Sequence, residues 1–252
     1  MGSLRYNSTS EVDQSLTSNT PFRSDGARGY TVQGYPSSPQ NGFLVFVDAL
    51  GMRRIWENED PNVVFNKWKD VITRFNDSVQ QSPIVSSLKY FNIVSDTIIM
   101  SFSENITAYD HVFGLLQNPF KYSLGIKFPL RGAISHDVHY LSNLLAIGPA
   151  IADAASVHDQ IEMIGIFTTP ELTYKINKRG LIRNSNNVIL YPQINIKQNR
   201  TYSGLALNWY KGDDEKILLF LSNQAKCQSE KGIKDKYLNT MRFCKYNSKF
   251  EK

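Results

Sequence analysis

Hydrophobic positions are scattered without period through the first 41 residues and then become continuous. Ser, Thr, Gly, Pro and Asn dominate residues 1–41, which predicts a disordered N-terminal arm. The folded part is expected over 42–252, opening with Gly42-Phe43-Leu44-Val45-Phe46-Val47-Asp48. A β-branched and aromatic run without alternation predicts a strand buried on both faces, and this one ends on a carboxylate. Ala49-Leu50-Gly51-Met52-Arg53-Arg54 follows as a turn. Asp60-Pro61 pairs a capping residue with proline at the first helical position. Apolar residues at 64, 68, 71, 72, 75 and 79 then keep one stripe of a helix that fades near 80–83.

Two β-rich runs, 87–94 and 97–102, are joined by only Ser95-Asp96, which predicts a tight hairpin. A helix is expected over 108–117 and a strand carrying Arg131 over 128–135. The alanine-rich stretch 148–158 reads as a helix and 163–167 as a short strand. Thr169-Pro170-Glu171 opens another helix. Runs 188–191 and 217–221 are the last strand candidates. The order β-α-β-β-α-β-α-β predicts an α/β (α+β) sandwich of ferredoxin-like type. No internal repeat is visible.

Composition narrows the class. In 252 residues, 41% are hydrophobic and 12% aromatic, enough for a sizeable core. The net charge is 28 − 23 = +5. Residues 226–252 hold eight Lys/Arg against three Asp/Glu, so this tail carries the whole excess. It reads first as a solvated helical face or frayed end, and second as a contact for nucleic acid, an acidic membrane or a nucleotide. The body has no basic stripe with interleaved aromatics, so no nucleic-acid partner is expected. No apolar run reaches the roughly 18 residues of a membrane helix, and no secretory leader is visible. Cys227 and Cys244 have neither metal nor redox spacing and read as reduced thiols of a cytoplasmic protein.

The candidate chemistry lies in two aspartates. A carboxylate at the end of a buried strand must be paired, solvated or metal-bound, and strand ends are where open α/β sheets bind ligands. Asp96 alone is an ordinary turn residue. If the first strand lies beside the hairpin, Asp48 and Asp96 meet at one rim. Two converging carboxylates suit Mg²⁺ or Mn²⁺ completed by substrate phosphates. No P-loop occurs.

These segments resemble the class III nucleotide cyclases. The resemblance rests on Phe46-Val47-Asp48-Ala49-Leu50-Gly51, on Asn92-Ile93-Val94-Ser95-Asp96-Thr97 and on Leu130-Arg131-Gly132-Ala133-Ile134-Ser135. It continues through 147–155 and 165–172, and spans about residues 43–176. It implies two divalent ions per site, Mn²⁺ or Mg²⁺, with Asp48, Ala49 and Asp96 as the metal set. It implies phosphate contacts from Gly51, Met52 and Arg53, and a catalytic role for Arg131. It also implies a homodimer with composite sites.

Two departures refine the resemblance. Asn92 stands where adenylate cyclases carry the adenine-reading lysine, and the partner acid falls near Leu145. Asn92 shares a strand face with Asp96 and can both donate and accept, which suits a pyrimidine edge. Ala152 and Ser156 occupy the positions of the transition-state Asn and Arg. Asn143, His136, His139 and the C-terminal lysines are the candidate replacements. The chain is most similar to the bacterial pyrimidine cyclases of the Pycsar anti-phage system. That likeness implies conversion of UTP or CTP to cyclic UMP or cyclic CMP, which activates a separate effector. The alternatives are a non-catalytic cyclase-like binding module, or an adenylate or guanylate cyclase.

Overall fold

The computed structural model describes residues 39–142, 146–212 and 214–249, with the side chains of Arg53 and Arg54 left out. The expected arm falls almost wholly on 1–38, outside the described residues. Its last two positions do not belong to it, because β1 runs over Gln40–Ala49.

Five further strands and helices set up the core. They are α1 (Met52–Asn58), α2 (Pro61–Gln80), the hairpin β2 (Leu88–Val94) and β3 (Thr97–Phe102), and α3 (Tyr109–Gly125). Then come β4 (Leu130–Leu141), the short β5 (Ala146–Ile147), α4 (Pro149–Gln160), β6 (Gly165–Thr168) and α5 (Pro170–Lys178). The chain ends with β7 (Val188–Ile196), β8 (Arg200–Leu207), α6 (Glu215–Cys227) and α7 (Lys231–Asn247). The main sheet runs β2-β3-β1-β4-β6-β8-β7, with β5 paired to β4 off this path. Its first four strands are antiparallel neighbours in the ferredoxin-like order, while β4 and β6 run parallel.

The alternation of β1 sorts two cores. Phe43, Val45, Val47 and Ala49 join the large core with Val64, Trp68, Val71, Phe75 and Val79 of α2 and with α3. Each such burial stabilises by about 1.5–3 kcal/mol. Leu44 and Phe46 turn to the other face, where Tyr90, Ile99, Leu141, Ala150 and Ala154 close a smaller cluster under α4. Asp48 follows on that second face by the strand's period of two.

Local chemistry explains the element ends. Asp60 Oδ1 accepts from the amides of Asn62 at 2.8 Å and Val63 at 3.3 Å, capping α2 before Pro61. Thr169 Oγ1 accepts from Leu172 N in the same way for α5. Ser95 takes a left-handed conformation in the β2–β3 turn.

Three expectations need correction. Residues 217–221 are not a strand but part of α6, capped by Asp214, whose Oδ1 accepts from Ile217 N. Met52-Arg53-Arg54 is not turn but the start of α1. Over Lys231–Asn247 the basic tail is not frayed or only a solvated face, because α7 buries Tyr237, Thr240, Phe243, Cys244 and Asn247. Both cysteines are free thiols, Cys227 exposed and Cys244 buried. Among the described residues no helix is long and apolar enough to cross a membrane.

Candidate active site

Asp48 is the last residue but one of β1 and is 9% exposed. The register places Thr97 of β3 on one side of it and Arg131 of β4 on the other. Thr97 directly follows the hairpin turn, so Asp96 arrives at the same rim. The join is fixed by Ala49 N, which donates to the Asp96 carbonyl at 3.1 Å. The two predicted aspartates therefore sit on adjacent strand ends. The Asp96 side chain is half-buried and makes no hydrogen bond or ion pair to another described residue.

Arg131 reaches Asp48 directly across the ladder. Its Nε donates to Oδ1 at 3.2 Å and its Nη2 to Oδ2 at 3.4 Å. Its Nη1 donates to the Ile161 carbonyl at 3.4 Å, at the C-terminal end of α4. A second nitrogen group comes from the last turn of that helix, where His158 Nε2 lies 3.0 Å from Asp48 Oδ2. The contact is an ion pair when the ring is protonated. The Phe46 ring lies 6.4 Å from the His158 ring. Burial alone would raise the Asp48 pKa, but His158 and Arg131 outweigh it and hold the carboxyl below its ordinary value.

The loop after β1 offers less than its sequence implies. Ala49 N is used by Asp96, and Leu50 N donates to the Pro129 carbonyl at 2.8 Å. That leaves at most the amides of Gly51 and Met52 for an anion. Gly51 takes a left-handed conformation at the start of α1, whereas the Met52 side chain is turned into the core. The side chain of Arg53 lies outside the described residues.

Asn92 lies on the same side of the sheet as α4, beside Tyr90. Its Nδ2 donates to the Tyr90 hydroxyl at 2.9 Å, and its Oδ1 accepts from Ile93 N at 2.9 Å. The Tyr90 hydroxyl in turn donates to the Ser142 carbonyl at 3.2 Å. Half of the Asn92 hydrogen-bonding capacity is thus already committed. Leu145 and Asn143 lie outside the described residues. Ala152 and Ser156 are exposed on the outer side of α4.

The two candidate histidines of β4 are elsewhere. His139 is fully buried and shares a hydrogen bond of 2.6 Å with Ser101 Oγ, and its Nδ1 lies 2.9 Å from the Asp137 carbonyl. His136 contacts the Glu104 carbonyl at 3.0 Å. Burial lowers the pKa of both. Neither has a contact to Asp48. The residue that sequence reading missed is His158. Its one signal is a cationic side chain in the last turn of a helix, where the helix dipole favours it.

Asp48 and Asp96 bring two carboxylates to one rim, the hard oxygen donors that Mg²⁺ and Mn²⁺ take. Among the described residues no group of three His, Cys, Asp or Glu side chains forms a closed metal site.

No family model and no curated protein sequence matches the chain. Solved structures do match its fold. One is the monomeric double mutant of the guanylyl cyclase domain of the RhoGC fusion protein from the aquatic fungus Blastocladiella emersonii. It has 7% identity and a TM-score of 0.50 over 68% of this chain and 96% of that one. Another is the adenylyl cyclase CyaB from P. aeruginosa, with 11% identity and a TM-score of 0.49 over 68% of this chain and 94% of that one. The guanylate cyclase domain of RhGC from Catenaria anguillulae, in complex with GTP, has 8% identity and a TM-score of 0.49. The fold is that of the class III nucleotide cyclase catalytic domain.

Proposed function

We propose that the chain is a nucleotide cyclase that converts a pyrimidine nucleoside triphosphate, UTP or CTP, to its 3′,5′-cyclic monophosphate and pyrophosphate. The observation that carries this reading is the meeting of Asp48 and Asp96 at one rim of a cyclase-type sheet. Asp48, Asp96 and the backbone at Ala49 would hold two divalent ions, Mn²⁺ or Mg²⁺. Such ions activate the ribose 3′-hydroxyl and neutralise the leaving pyrophosphate. Arg131 fixes the Asp48 carboxylate in orientation. The cluster under α4 screens that carboxylate from water on the Phe46 side.

The pyrimidine preference rests on Asn92 in place of a lysine, with one amide hydrogen and one acceptor direction left for a base. The reading includes a homodimer, in which Ala152 and Ser156, exposed on α4, would face the second copy. The product would serve as a second messenger for a separate effector in anti-phage defence, within the cytoplasm.

A second reading is favoured by one observation. Both Asp48 oxygens are in contact with nitrogen groups of the same chain, Arg131 and His158. Together with the missing Asn and Arg at 152 and 156, this suits a cyclase-like module that binds a nucleotide without turning it over. Incubation with Mn²⁺ and equal ATP, GTP, CTP and UTP, read by mass spectrometry, separates the two. Cyclic UMP or cyclic CMP is the expected product. Cyclic AMP or cyclic GMP would overturn the base assignment, and binding with no product from any triphosphate would establish the second reading.

A further inference from the structure

The excess charge of the C-terminal segment is not spread evenly around α7. Five of its eight cations, Lys231, Lys234, Lys236, Arg242 and Lys245, lie in that helix. At 3.6 residues per turn, Lys231, Lys234, Leu238, Met241, Arg242 and Lys245 fall within about 100° of its circumference. The buried residues Tyr237, Thr240, Phe243, Cys244 and Asn247 take the opposite side. Lys236 leaves the stripe to pair with Glu162 at 3.6 Å. Asp235, the one acid of the helix, borders the stripe and lines the neighbouring cleft with Glu162 and Lys197. Lys231, Lys234, Arg242 and Lys245 are exposed, and none forms an ion pair with an acid among the described residues.

The same stripe carries apolar surface. Leu238 and Met241 are half-buried and join Leu218 of α6 and Tyr210 in a groove of about 490 Å³ between the two helices. Arg242 and Lys245 line that groove as well. Carbon surface bordered by cations without an acidic partner, along about 21 Å of helix, complements acidic lipid headgroups above an acyl layer. Long cationic side chains can cover such surface with their stems and keep their heads in water.

We infer that the outer face of α7, with the groove it shares with α6, is a docking surface for an anionic lipid bilayer. The four exposed cations meet acidic headgroups, and Leu238 and Met241 meet the acyl boundary. The contact is peripheral, because the other face of α7 belongs to the core. A single soluble amphiphile would engage the groove with Arg242 and Lys245 but leave Lys231 and Lys234 without a role. Nucleic acid would engage the cations but not the carbon surface, and no member of the stripe offers a ring on which bases could stack. None of these residues belongs to the rim at Asp48 and Asp96.

The test mixes the full chain with vesicles of phosphatidylcholine alone, or with about one-third phosphatidylglycerol, and reads the bound fraction by flotation across a lipid titration. Binding is expected to be about tenfold or more tighter to the anionic vesicles. Raising NaCl from about 0.1 M to about 1 M shortens the Debye length from about 10 Å to about 3 Å and should remove most of it. Each surface cation contributes about fivefold, so Lys234→Gln combined with Lys245→Gln should weaken binding about 25-fold. Met241→Gln should weaken it about threefold or more. Unchanged thermal melting shows that both variants keep the fold. No binding to either vesicle, or equal binding to both, would overturn the assignment on the wild-type protein alone. Full binding by the folded double variant would overturn it equally. Monomeric short-chain phosphatidylglycerol bound as tightly as vesicles would replace the bilayer by a soluble amphiphile. Duplex DNA bound more tightly than vesicles, with no effect of Met241→Gln, would replace it by nucleic acid.

Discussion

His158 Nε2 and Asp48 Oδ2 stand 3.0 Å apart, joining the last turn of α4 to the end of β1. With Arg131 on the other side of the carboxylate, Asp48 serves the fold as well as the proposed chemistry. The Asp96 side chain pairs with no described side chain. The two aspartates are therefore predicted to respond differently to removal.

Asp48→Ala and Asp96→Ala are both expected to abolish cyclic nucleotide formation, read by mass spectrometry. Their stabilities should diverge. Asp48→Ala leaves the buried Arg131 guanidinium without its anion and His158 without its partner, and is expected to cost about 3–5 kcal/mol. Asp96→Ala removes a half-exposed side chain and should stay within about 0.5 kcal/mol of the parent. Urea unfolding of the two variants measures the difference, and equal losses would contradict the pairing seen at Asp48.

The acid limb of stability should carry the same signature. The folded Asp48 carboxyl lies below its unfolded value of about 3.9, so its contribution is present above that pH. It is lost as pH falls through the folded value. Asp153 behaves in the opposite way. Burial raises its pKa, against a hydrogen bond from Thr169. Its contribution is present below the unfolded value and lost as pH rises through the folded one. Asp153→Asn is thus expected to raise the melting temperature at pH 7 and to leave it unchanged near pH 3.

Gly132 sits beside Arg131 in β4, opposite Val47 of β1. A Cβ there would stand 2.5 Å from the Phe46 carbonyl oxygen, a backbone atom that cannot step aside. Gly132→Ala must part the two strands and is expected to cost about 1–3 kcal/mol. It should also lower turnover, because the same displacement carries Arg131 away from Asp48. Thermal denaturation and the mixed-substrate assay test both effects on one protein.

Asp60→Ala removes the side-chain acceptor for two amides at the start of α2. The expected cost is about 1 kcal/mol with the site unaffected. This variant is the control for stability loss without loss of chemistry.

The parts of the fold legible in the sequence were those with unambiguous local chemistry. Asp60-Pro61 and Thr169-Pro170 open helices as read, and the continuous run to Asp48 is a central strand buried on both faces. Ser95-Asp96 turns the hairpin as read. Residues 217–221 misled because a short apolar run has no decisive period. The deciding signal was Asp214 as a helix cap, just ahead of that run. The hairpin partner β8 was missed because its turn uses Gln198 and Asn199, both at positive φ without a glycine. The meeting of Asp48 and Asp96 at one rim was legible once the first strand was set beside the hairpin, whereas the pairing of Arg131 with Asp48, in place of a phosphate, was not. Nor was His158, because only the tertiary path of α4 brings a helix end to a strand end.

That path gives α4 an anchor at each end. At its start, Ser135 Oγ donates to the Ala150 carbonyl, and the Gly148 backbone lies so close to β4 that a Cβ would fall 2.7 Å from the Val138 carbonyl oxygen. At its finish, His158 and Ile161 are tied to Asp48 and Arg131. A helix moored once can swing, but one moored twice acts as a tie-rod. About 18 Å of helix thus spans from Ser135 and Val138 of β4 to the ends of β4 and β1 at Arg131 and Asp48. A shift of Asp48 must be shared by β1, β4 and α4 together, so the carboxylate cannot be re-aimed by moving its own strand alone.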